Sequence, residues 1–484
     1  MTTTRKVLLI LALVYGIPLA AIVVAAILWL RDEPPPYDDD LKVQRIQIPE
    51  DKNALTFFLE AVESLDMPQR STALDRPVEK RPGETDDDVP QNERDLFDEI
   101  QGGKRWDGPF IEQVLKRNAE ALALWEKGMA APHFQTFEVK SLADQITHVF
   151  SYLYFANLVT VRARAAAKRR DSEAALADGL KLVRFGRRIE GDKGCLVEYM
   201  VGLTIKEMGL EAIRQALVDS TLPPARLRYY ARELAKYPID VEGLADAFRN
   251  EYVIQIEVID GFASHKHSPA SLISLLGSTP RWPSPYEVIL WEAIRPITFK
   301  PEATRRTFAE NARFGIQNVP KPFRDMAPED PSIHDFSRVR EAFSGNLLGR
   351  ECCRMLVGGA WGVLEQKCRA NAQLAATRIL LAMKAYKLDK GTLPKNLDEL
   401  VPQYLDAVPI DDYDGKPMRY NAAKKVVYSV GRDLKDGGGM TMEDYLKVRR
   451  KEVEESGMSW DEEAEAEQVK DIWHWPDPSF EIKF

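Results

Sequence analysis

An uncharged run of 24 residues, Val7 to Leu30, stands between Arg5-Lys6 and Arg31-Asp32-Glu33. As a helix rising about 1.5 Å per residue it reaches roughly 36 Å, enough to cross the hydrocarbon core of a bilayer with some tilt. A secretory signal has a shorter apolar centre followed by small residues at a cleavage site. This run instead closes on Ala26-Ile27-Leu28-Trp29-Leu30, with a Trp at interfacial depth. The pattern predicts an uncleaved signal anchor at 7–30 behind a cytoplasmic tail at 1–6. Two cations precede the span, whereas Asp32, Glu33 and Asp38-Asp39-Asp40 follow it. The positive-inside bias then puts the N-terminus in the cytoplasm and the bulk outside. The expectation is a single-pass bacterial inner-membrane protein with a periplasmic domain, held to the lipid bilayer through 7–30.

Removing Arg5 and Lys6 takes the formal charge from −9 for the chain to −11 for the exported part. Such an acidic surface repels nucleic acid and anionic headgroups, so nucleic acid is excluded as a partner. With 45 % hydrophobic and 29 % charged residues the exported part can bury a core. Residues 31–108 read as a spacer and mixed segment: Pro34-Pro35-Pro36 is stiff and extended, Val43, Ile46 and Ile48 are strand-like, and Asn53 caps a helix through Glu63. Within it, 68–92 is a polar loop. Cys195, Cys352, Cys353 and Cys368 show no CxxC spacing and are too few for a disulfide scaffold. Buried free thiols are the favoured reading, and one disulfide is the alternative.

Residues 109–367 form a helical domain in this reading. Ile111, Val114, Leu115, Ala119, Leu122 and Trp125 keep one face up to Gly128, and Ile146, Phe150, Tyr154, Leu158, Val161 and Ala165 keep another. Ser172 is placed as the cap of a further helix, one more follows Gly194, and Pro223-Pro224 opens a fourth that Pro238 closes. Alternating helices with short polar turns predict solenoid-like helix pairs. Residues 264–345 are less regular, with short helices near Tyr286 to Ile294 and Glu302 to Phe314.

No HExxH, GxSxG, GxxxxGK[ST] or GxGxxG occurs in a usable context. His265 and His267, with Glu251 and Asp260 nearby, have the donor types of a metal site, but a solvated polar loop is the favoured reading. An unrecognised acid pair needs no motif, so a membrane-tethered hydrolase using carboxylates in a groove near 240–340 is the alternative to a binding function.

The region after Cys368 is more specific. A helix bearing Ala372, Ala376, Ile379, Met383 and Tyr386 ends near Gly391, Asn396 caps a short helix, and a hairpin joins Met418–Tyr420 to Val426–Val430. The set Ala382-x-x-x-Tyr386-x-x-Asp389-x-Gly391-x-x-Pro394, Leu397-x-x-Leu400, Pro409, Asp411, Gly415-x-Pro417-x-x-Tyr420 and Tyr428-Ser429-x-Gly431-x-Asp433 follows one order. It resembles the soluble half of the type II secretion major pseudopilin, a type IV pilin-like protein. The pseudopilin-like module spans 368–484, with an acidic helix inserted at 442–469 and Asp471-Ile472-Trp473 beyond it. The resemblance implies a Ca²⁺ site at Asp433, Asp436 and Asp471. The prepilin signature Gly-Phe-x-x-x-Glu is missing, so assembly into a filament by the pilin route is not expected. Helical middle and module together are similar to single-pass envelope proteins of planctomycete-type bacteria, a likeness that carries no activity.

The fold class expected is mainly α: a transmembrane helix, a helical ectodomain and a C-terminal α+β module with a small antiparallel sheet. The function expected is interaction with a protein partner in envelope assembly or secretion, without catalysis.

Overall fold

The computed structural model describes residues 31–74, 89–138, 147–264, 298–326, 345–356, 359–455, 472–475 and 477–484, with isolated positions elsewhere. Among the described residues no helix is long and apolar enough to cross a membrane. The expected anchor at 7–30 lies, but for isolated positions, outside them, as do His265, His267, Asp471, much of the polar loop and residues 456–469 of the inserted helix.

The protein is mainly helical. The helices are α1 (Ala54–Glu63), α2 (Glu93–Gln101), α3 (Gly108–Arg117), α4 (Ala119–Ala130), α5 (Thr147–Lys168), α6 (Ser172–Glu190), α7 (Leu196–Val218), α8 (Pro224–Leu234), α9 (Val241–Ala263), α10 (Pro301–Asn318), α11 (Leu347–Leu356), α12 (Ala360–Lys390) and α13 (Met442–Glu455). Strands β1 (Arg419–Asn421), β2 (Val426–Tyr428) and β3 (Ser479–Glu481) form one antiparallel sheet in that order.

Local chemistry explains most boundaries. Asn53 caps α1 by accepting the Leu55 amide. The long helix expected from Pro109 to Gly128 is broken at Asn118, whose side chain turns aside to bond both backbone groups of Asp66 (2.9 and 2.7 Å). Asp171, not Ser172, caps α6: it is the residue before the first helical turn, and its carboxylate reaches the Ala174 amide at 3.0 Å. No strand forms at Val43 to Ile48. The side-chain amide of Gln135 exchanges hydrogen bonds with the backbone of Ile46 in place of a partner strand. Gly391 ends α12 in the left-handed region, φ 78°.

Helix α9 follows Pro238. Asp246, Asn250 and Gln255 lie on its buried face and interrupt the apolar period. Each is satisfied by a partner: Asp246 by Lys193 and Arg249, Asn250 by the Lys193 and Gly194 carbonyls, Gln255 by the Leu356 carbonyl.

Helices α6 and α7 pack antiparallel at very short range through glycines seven residues apart on each, Gly179 and Gly186 against Gly209 and Gly202. A Cβ on Gly179 would meet the Gly209 carbonyl oxygen at 2.9 Å and Ile213 Cγ1 at 2.6 Å; one on Gly186 would lie 2.7 Å from the Lys206 amide nitrogen. Gly186→Ala is therefore expected to wedge the pair apart and destabilise by about 1–3 kcal/mol or more, read as a lower denaturation midpoint. Substitution of Gly362, which meets nothing within 4 Å, is the silent control.

The helices do not stack as a solenoid, in which each pair touches only its neighbours. Helix α12, far along the chain, packs on both α7 and α8, and one apolar core joins Leu176, Leu210 and Leu227 to Ile379, Leu381, Val427, Phe480 and Ile482. A second core, on the other side of α6 and α7, gathers α1 to α5 around Trp125, Phe58 and Phe185. The four cysteines are free and buried.

Candidate functional site

A groove of about 910 Å³ runs between α7, α12 and the C-terminal strand. On α7, Glu207, Glu211, Arg214, Gln215 and Val218 recur at helical spacing and form one bank; on α12, Gln366, Arg369, Gln373 and Leu380 form the second. Trp473, Trp475, Phe480, Glu481, Lys483 and Phe484 close the third side.

Arg214 ties the banks together. Its guanidinium donates to Glu211 (3.0 Å), Thr377 (2.9 Å) and Gln373 (3.2 Å) and lies 5.4 Å above the Phe480 ring. Arg164 anchors the floor by donating to the Ile100 and Gln101 carbonyls. Trp473 stacks on Tyr413 and lies under Arg369, and Trp475 stacks on Tyr445. Two buried polar atoms of the lining, Thr160 Oγ1 and Trp475 Nε1, have no hydrogen-bond partner among the described residues. Burial pushes the Glu211 carboxyl up, but Arg214 and Gln215 outweigh it and hold it below its ordinary range. Glu211 is thus kept ionised and cannot serve as a general acid at neutral pH. The lining offers hydrogen-bond donors and acceptors, side chains of both charge signs and aromatic faces.

The hydrolase alternative placed its groove near 240–340, and no residue of that range lines this one. A close carboxylate pair does exist elsewhere. Asp192 and Glu198, both buried, straddle Gly194 at the α6–α7 turn. Asp192 accepts the Gly194 amide (2.8 Å), and Glu198 accepts the Cys195 amide (2.9 Å) and the Thr136 hydroxyl (2.8 Å). Burial, then the Glu198 charge, push Asp192 well up. With no opening onto the groove, the pair clamps the turn. The signal that could have found it is the N3 glutamate of a capping box, Cys195-x-x-Glu198.

Of the weighed metal donors in the helical part, Asp260 is half-exposed and paired with Arg305. Glu251 sits apart on α9, where burial raises its carboxyl to about 7. A carboxyl whose folded pKa exceeds its unfolded value of about 4.3 favours folding below that value and loses the benefit as pH rises toward 7. Glu251→Gln is therefore expected to leave stability unchanged at pH 4 and raise it by about 1–3 kcal/mol at pH 8. Melting curves at the two pH values check this.

In the C-terminal region, Asp433 is turned onto the Lys435 amide (3.0 Å). Asp436 accepts the Tyr428 hydroxyl (3.0 Å), the Gly438 amide (3.1 Å) and Arg419 Nε (3.1 Å). Asp471 lies outside the described residues. The carboxylate that does reach this loop is Asp477, which accepts the Gly437 and Gly439 amides (3.2 and 3.0 Å). Among the described residues no three His, Cys, Asp or Glu side chains converge to hold a metal ion. Of the three acids expected around Ca²⁺, Asp436 is paired with Arg419, which also contacts Asp411 (3.2 Å) and Asp414.

Other residues of the motif act as staples. Asp411, fully buried, accepts the Tyr413 and Val430 amides (3.1 and 3.0 Å) and the Ser429 hydroxyl (2.9 Å), joining the turn at 411–416 to the end of β2. Gly415 holds φ 70° within that turn, where a side chain would be strained. No family model matches the chain, and no curated protein or solved structure gives a significant match to it.

Proposed function

We propose that the chain is a membrane-anchored extracytoplasmic binding protein, serving envelope assembly or secretion, whose helical scaffold and pseudopilin-like module hold a partner in the groove between them. The observation that carries this reading is the groove itself: a mixed aromatic and charged lining, cross-tied by Arg214, with its half-exposed carboxylate held ionised. The uncharged run at 7–30 with its flanking charges supports the anchoring. A photo-crosslinking residue at Gln215, in the groove, is expected to give a discrete adduct from native membranes, and one at exposed Tyr229 is expected to give none. No adduct at 215, or the same adducts from both positions, overturns the binding reading. A reporter fused after Phe484 that is active only in the cytoplasm overturns the topology.

A further inference from the structure

We infer that the groove takes an extended peptide, which docks as a fourth strand along the outer edge of β3. The inference rests on the reading of the groove as a binding site. In an antiparallel pair, successive residues turn their N–H and C=O alternately toward and away from the partner strand. The Pro478 carbonyl accepts the Ser429 amide (3.0 Å), the Ile482 amide donates to the Lys425 carbonyl (2.9 Å), and Phe480 lies opposite Val427. Residues 478, 480 and 482 therefore face β2, and the backbone groups of Ser479, Glu481 and Lys483 face the other way.

Among the described residues no strand pairs with that edge. Ser479 is buried and its hydroxyl accepts the Met440 amide, whereas Glu481 and Lys483 are partly exposed and line the groove. The open edge is thus the stretch from Glu481 to Lys483. Its outward donors and acceptors repeat about every 6.8 Å, two strand residues apart. Only another extended polypeptide presents matching N–H and C=O pairs at that interval, so a peptide fits where a glycan or a nucleic acid does not. Helix α7 supplies the opposite wall, with Arg214 over Phe480 fixing it beside the strand. Met208, Ala212 and Leu380 give the lining apolar ground for alternate side chains of the docked segment. The unpartnered Trp475 Nε1 is a further donor in the same lining. A sheet edge facing a helix across a groove is a general arrangement for peptide capture by strand addition.

The test separates backbone from side-chain recognition. A random heptapeptide display library is panned against the immobilised full chain, and enriched peptides are synthesised with and without N-methyl groups at alternate residues. Enriched sequences are expected to alternate apolar and polar positions, and N-methylation is expected to abolish binding on one parity only. Glu481→Pro removes the outward amide while sparing the β2 pairing, as an edge proline can, and should weaken binding about tenfold. Glu481→Gln keeps that amide and should bind within about twofold of the parent chain. A melting temperature of the proline variant close to the parent's shows that it folds; if it does not fold, the N-methyl series decides alone. Equal binding by a folded proline variant, indifference to N-methylation, or no enriched peptide overturns strand addition. A groove-specific adduct at Gln215 alongside any of these leaves the groove as a binding site that reads its partner differently.

Discussion

Replacement of Lys206 by Met is expected to lower the stability of the folded chain by about 3–5 kcal/mol. Lys206 and Glu190 are fully buried between α6 and α7, with Nζ 2.6 Å from Oε1. Burial pushes the glutamate up and the lysine down, and their mutual attraction opposes both shifts. Lys206 also donates to the Pro238 carbonyl (3.2 Å), and Glu190 accepts the Asp240 amide (2.8 Å). The pair thereby pins the link between α8 and α9 onto the glycine-packed helices. Methionine removes the cation and strands the carboxylate in a fully buried site. The deficit should shrink as pH falls, because Glu190 without its partner has a still higher folded pKa and recovers stability once protonated. Adding Glu190→Gln keeps an acceptor for Asp240 and removes the charge, so the double variant should regain more than half of the loss. Denaturant midpoints at pH 5 and pH 8 measure all three, and a Lys206→Met midpoint equal to the parent's at pH 8 would refute the account.

The second large effect is expected at Asp411. Asp411→Ala removes the acceptor for two amides, one hydroxyl and Arg419, and should destabilise the sheet end of the protein by about 3 kcal/mol. Asparagine should rescue only in part. Its oxygen can replace Oδ1 toward Tyr413 and Ser429, but its NH₂ would then confront the Val430 amide and the Arg419 guanidinium, donor against donor. Since Tyr413 stacks on Trp473, tryptophan fluorescence should report the loosening. An unchanged midpoint for the alanine variant would show that the turn at 411–416 is held by something other than this carboxylate.

Local features were the legible ones. Asn53 at α1, the Pro224 start of α8, Gly391 after α12 and the β1–β2 hairpin are each decided within a few residues, so the sequence carries them. The buried polar side chains of helix α9 break its apolar period, and the partners they find on other elements could not be read from it. The seven-residue glycine spacing on α6 and α7 was visible, but only the close approach of two helices gives it meaning. Strand β3 pairs with β2 across the whole inserted acidic segment, a separation at which no local pattern fixes a register. The groove escaped for the same reason: its three walls come from α7, α12 and the last residues of the chain, and none bears a motif alone. The acids expected around Ca²⁺ were read by type and spacing, and neither shows that Arg419, on β1, would pair with Asp436.

The distance between β3 and the helices it seals has a consequence for biosynthesis. Phe480 and Ile482 complete a core begun by Leu176, Leu210 and Leu227. At about 5–20 residues per second, the final strand leaves the ribosome roughly 12–50 s after α8. Until then the seam that Phe480 and Ile482 cover stays open, even after α12 has closed over the rest of that core. A polypeptide arrested anywhere in the acidic insertion would present the same seam permanently. Premature termination thereby leaves apolar surface lastingly exposed, the kind of surface that proteases and holding chaperones recognise.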